Sequence, residues 1–162
     1  MKKTIVLPSI FLLNTSFTIN NKLYNSLSKM YEINKEKCLE LAEHQINNNS
    51  ENYAPYLFAL KIELDKYKEL RWIKFASMDQ TPDWETYKKP IMRMIEYIKK
   101  IYTFASEDIM YETNCFQLFG DINKELTALI VGLHQNKEFE LKKKLIQKAD
   151  DFYGIEITAF AP

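Results

Sequence analysis

The sequence predicts an all-α fold, a bundle of about five to seven helices arranged as antiparallel hairpins. Three observations predict it. From about Asn21 onward, bulky apolar residues recur every third or fourth position, the period of one helix face. The 162 residues include only three Gly and five Pro, too few for the many turns of a β architecture. Capping residues punctuate the apolar runs where helices should start and stop.

Leu23, Leu27, Met30 and Tyr31 define a first short helix, and a turn at Asn34-Lys35-Glu36 leads into a second bearing Cys38, Leu41, Ala42 and Ile46. Asn47-Asn48-Asn49-Ser50 ends it with residues that favour turns and caps. A third helix runs from about Glu51 to Ala76, with Pro55 in its first turn, where a missing N–H costs least. Its apolar residues fall on two faces, Tyr56, Leu60, Leu64 and Tyr67 on one, Phe58, Ile62 and Ile73 on another. That predicts a central helix packed on both sides.

Thr81-Pro82-Asp83-Trp84-Glu85 reads as a helix start: a capping Thr, a Pro at the first helical position, and acids at the positive end. Trp84, Tyr87, Ile91, Met94, Ile95, Ile98, Tyr102 and Ala105 then form one stripe. Pro90 lies inside it and predicts a kink rather than a split, because the stripe keeps its phase. Ser106 with Glu107 and Asp108 opens the next helix. Ile109, Phe116, Phe119, Ile122, Leu126, Ile130 and Leu133 predict one long helix to Asn136, with a weak point at Gly120. The last helix spans about Lys137 to Tyr153, with Leu141, Leu145, Ala149 and Phe152 inward and Gly154 as its stop. An extended tail, 155–162, docks on the bundle.

Length fits a single helical domain, residues 21–162. Before it, Met1-Lys2-Lys3 and an apolar stretch from Thr4 to Leu13 match the layout of a secretory signal over residues 1–18. The stretch is too short for a membrane-spanning helix, which needs about 20 residues. Its cleavage site lacks Ala-x-Ala, and Pro8 interrupts the apolar run, so a structural segment is the competing reading.

The stretch Leu27-Ser28-Lys29-Met30-Tyr31, followed by Lys37-Cys38-Leu39-Glu40-Leu41-Ala42-Glu43, resembles a tetratricopeptide-type helix hairpin. Asn49-Ser50-Glu51-Asn52-Tyr53 would be the turn into the next repeat. The resemblance covers about residues 22–62, departs from the family pattern at Ser28 and Ser50, and is not repeated further along the chain. It implies stacked hairpins whose concave face binds a peptide or partner protein.

Acids and bases balance at 22 each, and only Arg71 and Arg93 are Arg, so the electrostatic footprint of nucleic-acid binding is missing. Cys38 and Cys115 have no CxxC spacing and read as buried free thiols, although one disulfide stays open. His44, a turn after Glu40 and beside Glu43, offers two ligands where a metal site needs three or four. His134, near a helix end, suits the helix dipole as an imidazolium. A paired Glu-x-x-His di-iron site is excluded by Leu41 and Val131. Glycine-rich phosphate loops and nucleophile motifs are absent. Acid pairs Glu107-Asp108 and Asp150-Asp151 read as a cap and a solvated face. Lys142-Lys143-Lys144 spread roughly 100° apart around a helix rather than forming a patch.

The sequence therefore predicts a non-enzymatic helical domain that binds a protein or peptide partner or acts as a scaffold, exported to a bacterial cell envelope. Without the signal the location becomes cytoplasmic. A small-molecule or lipid carrier with an apolar cavity between helices is the alternative, and an enzyme with scattered residues the third. No catalytic residue, cofactor or metal is assigned. The oligomeric state stays open.

Overall fold

A computed structural model describes the backbone of residues 21–75 and 84–153, and the side chains of residues 22–70 and 86–148. The expectations for residues 1–18, for Thr81-Pro82-Asp83, for Gly154 and for the 155–162 tail lie outside the described residues. So do those for the side chains of Ile73, Trp84, Ala149, Phe152, Asp150 and Asp151.

The fold is all-α, as the periodicity predicts. Seven helices are described: α1 (Asn21–Ile33), α2 (Lys35–Asn47), α3 (Tyr53–Phe75), α4 (Trp84–Phe104), α5 (Glu107–Glu112), α6 (Cys115–Gln135) and α7 (Phe139–Tyr153). Among the described residues there is no strand.

The caps follow from local chemistry. Asn34, the single residue between α1 and α2, is extended, and its side chain accepts a hydrogen bond from the Lys37 N–H at 3.0 Å. Asn49 adopts a left-handed conformation (φ 54°), and Ser50 N–H donates to Gln45 O, closing α2. Ser106 caps α5 through Ile109 N–H, as its sequence context predicts. Lys137 (φ 62°) turns the chain between α6 and α7, with Glu138 N–H donating to Leu133 O at 2.9 Å.

Ring contacts and ion pairs give the helix directions. Tyr24 meets Tyr53 and Tyr31 meets Asp65, so α1 and α3 run the same way and α2 returns between them. Tyr56 meets Phe104, Glu63 pairs with Arg93, and Tyr67 meets Tyr87, so α4 runs against α3. Tyr102 meets Phe119, and Lys148 pairs with Glu96, placing α6 and α7 beside α4. The long helices alternate in direction along the chain, and the six-residue α5 is a link between antiparallel α4 and α6.

Helix α3 is central, packing against α1, α2, α4 and α6. From Tyr53 to Leu60 every residue is buried, which a helix permits only when it has neighbours all round. Leu57, Leu60, Ile91, Met94, Ile95 and Ile98 fill the core along α3 and α4. Each such side chain contributes about 1.5–3 kcal/mol by leaving water. Helix α4 runs unbroken through Pro90.

One expectation fails. The predicted long helix from Ser106 to Asn136 breaks at Thr113-Asn114, not at Gly120. Asn114 is left-handed (φ 57°), a conformation that Asn tolerates because its short polar side chain offsets part of the steric cost. Gly120 lies within α6, and a Cβ there would meet nothing within 4 Å. The break has a consequence for packing: Phe116 turns outward, and Met110 and Cys115 are buried instead.

Candidate aromatic docking surface

The junction of α4, α5 and α6 presents an aromatic surface. Ring centroids of Tyr111 and Phe116 lie 4.7 Å apart, Phe116 and Phe119 6.3 Å, and Phe119 and Tyr102 5.2 Å. Phe119 is buried and forms the floor, while Tyr111, Tyr102 and Phe116 stay 64%, 47% and 36% exposed. Large rings held against one another yet open to water are costly for a monomer and typical of contact surfaces. Helix α5, only six residues long, is what brings Tyr111 to the group: Ser106 starts it and Asn114 turns the chain out of it.

The surface is acidic. Between Lys100 and Lys124 there is no base, and Glu107, Asp108 and Glu112 stand exposed on α5 beside Tyr111. None of the three has an ion-pair partner among the described residues.

Behind the rings lies a polar-tipped aromatic layer. Cys115 is free and buried, with Thr113 Oγ1 3.0 Å from its Sγ. Burial pushes its thiol up, against the smaller opposing effects of the Thr113 contact and the Lys61 charge, so the neutral form dominates and nucleophilic chemistry is disfavoured. Burial pushes Tyr53 up to about 12, with Tyr24, Cys115 and Glu112 adding to it. Lys61 stands over the Phe58 ring at 5.1 Å, and burial lowers its ammonium below the usual lysine value.

The other sequence candidates are dispersed. Cys38 is free and buried, donates to Leu27 O at 3.4 Å, and has its thiol pushed up by burial. His44 is exposed, with Asn48 Nδ2 3.4 Å from its Nδ1. His134 Nδ1 lies 3.3 Å from the Lys142 Nζ, and its ring packs edge-on against Phe139. Lys142 is buried while Lys143 and Lys144 are exposed, which matches their spread around the helix. Tyr87, Ile91, Met94, Ile95 and Ile98 pack in the core. Among the described residues no three His, Cys, Asp or Glu side chains converge as a metal site would require. An open polar depression of about 370 Å³ lies between α4 and α7, lined by Glu96, Lys99, Lys144, Gln147 and Lys148. Among the described residues no helix is long and apolar enough to cross a membrane.

Sequence periodicity assigned Tyr102 and Phe116 to the buried stripe, and these are the residues that the structure exposes. The signal for the surface was present in the base-free run from 101 to 123. Comparison of the chain with family models, with curated proteins and with solved structures yields no match.

Proposed function

We propose that the chain is a non-enzymatic helical binding or scaffold protein, whose acidic aromatic surface at α4–α6 docks a protein partner. The observation that carries this reading is the linked, water-exposed set Tyr111, Phe116 and Tyr102 on a run with no base. Aromatic anchors supply most of the energy in protein contacts, and the unpaired acids on α5 select a partner segment that carries Lys or Arg. The hairpin α1–α2, with its tetratricopeptide-type resemblance, supports the same reading. The basic start and apolar stretch over residues 1–18 support export to the cell envelope.

The test is a quantitative capture from extract of the source cells, comparing the full chain with a Tyr111→Ser/Phe116→Ser variant. Both changes are at exposed positions, so helicity by circular dichroism should match. Specific proteins held by the native chain and reduced about tenfold by the variant are expected. Identical captures by the two proteins would sink the reading. Intact mass of the protein isolated from its own cells tests the export: loss of about the first 18 residues is expected.

A further inference from the structure

Charge is separated along the bundle. Antiparallel packing gathers the start of α1, the end of α2, the start of α3, the end of α4, α5 and the start of α6 at one end, as the Tyr24–Tyr53, Tyr56–Phe104 and Tyr102–Phe119 contacts show. With each long helix divided at its middle, the described residues of this end, 22–27, 41–64, 95–125 and 147–148, hold nine acids against six bases. The opposite end is built by the α1–α2 turn, the end of α3, the start of α4 and the α6–α7 turn. Its described residues, 28–40, 65–70, 86–94 and 126–146, hold twelve bases against seven acids.

The exposed apolar side chains divide between the same two ends. Tyr102, Tyr111 and Phe116 stand at the acidic end. Ile33, 81% exposed at the α1–α2 turn, and Phe139, 54% exposed at the α6–α7 turn, stand at the basic end. Lys35 and Lys37 follow Ile33; Phe139 stands between Glu138 and Glu140, with Lys137 and Lys143 two and four residues away. Among the described residues no other large hydrophobic is exposed. Each end thus carries apolar groups set in charge opposite to that of the other.

We infer that the occupant of the acidic aromatic surface is the basic end of a second copy of this chain, joined head to tail. The inference rests on the docking surface proposed above and names its partner. Joining two acidic ends or two basic ends sets like charges together, whereas head to tail unites opposite ones. Such a contact uses two different patches, so each added copy leaves a free end and assembly is open. Attraction between exposed charges is screened by salt, so the assembly weakens as ionic strength rises.

Sedimentation velocity of the full chain, over a concentration series at about 0.02 M and about 0.5 M ionic strength, tests it. At low salt the mean mass should climb past that of a dimer without a plateau. At high salt it should fall back towards the monomer. Glu107→Lys/Asp108→Lys/Glu112→Lys, and separately Lys29→Glu/Lys37→Glu/Lys143→Glu, should each abolish association. Combining all six returns the net charge to zero with its polarity reversed, and association should return. Tyr111→Ser/Phe116→Ser alters no charge and should weaken association about tenfold. A chain monomeric throughout at low salt overturns the inference, as does a closed dimer that tightens with salt or a six-fold variant that stays monomeric. If the chain is monomeric yet its patch variant loses a partner from cell extract, self-docking falls and the docking surface stands. If the patch variant loses nothing, both fall.

Discussion

The α3–α4 seam and the α4–α6 surface use the same kinds of residue in opposite surroundings. In the seam, Tyr56, Tyr67, Tyr87 and Tyr97 are buried between two long helices, ring against ring. At the surface, Tyr102, Tyr111 and Phe116 pack on one another and on Phe119 but keep a face to water. The difference comes from what lies opposite. The seam has a partner helix along its length, and the surface ends where α5 turns away at Asn114. Helical periodicity therefore reports which side chains share a face. It does not report whether that face is covered.

The largest contrast is in stability. Leu60→Ala or Ile95→Ala removes a fully buried side chain from the seam and leaves a cavity, so a loss of about 2–5 kcal/mol is expected in urea unfolding. Phe116→Ser at the surface should stay within about 1 kcal/mol of the native chain. A surface substitution as damaging as a seam substitution would mean that the rings are core after all.

A smaller effect lies in the polar contact across the seam. Glu63 is buried, and Arg93 Nη1 donates to its Oε1 at 2.9 Å from a half-exposed side chain. Arg93→Ala leaves a buried carboxylate without this donor. Because the arginine itself is well solvated, the expected loss is about 1 kcal/mol rather than the larger cost of a fully buried pair. Glu63→Gln keeps an acceptor for Arg93 and should cost less. Equal losses from the two would show that shape, not charge, holds the seam at this point.

Much of the architecture was legible because burial imposes a period. Leu27, Cys38, Ala42, Leu60, Ile91, Ile98 and Leu126 are all inward as the spacing predicts. The central place of α3 was readable from its two apolar faces. Caps at Asn34 and Ser106 were readable from residue chemistry. The break at Asn114 was not, because Ile109, Phe116 and Phe119 stay in register across it and the glycine nearby drew the prediction six residues too far. The exposed aromatic surface was hidden for the same reason. Tyr102 and Phe116 fit a core stripe by spacing, and the backbone turn at Thr113-Asn114 sets the helix on which Phe116 faces out. The absence of bases from 101 to 123 marked the region without saying which rings were exposed.

The smallest expected effect is in proton binding at alkaline pH. Burial holds the hydroxyls of Tyr56, Tyr87 and Tyr97 above the usual phenol value, and pushes Tyr53 up to about 12. Unfolding returns each to about 10. A folded value above the unfolded one means that the native state binds these protons more tightly. The resulting stability is complete below about pH 10 and is lost as pH rises from there through about 12. Tyrosinate absorbance and helical circular dichroism, followed together on raising the pH, should change in one joint step for the buried rings. Tyr53→Phe removes the hydroxyl held highest and should move the alkaline midpoint upward by about a few tenths of a pH unit. Ionisation of all ten tyrosines near pH 10 with the helices intact would show that water reaches the seam as freely as it reaches the surface.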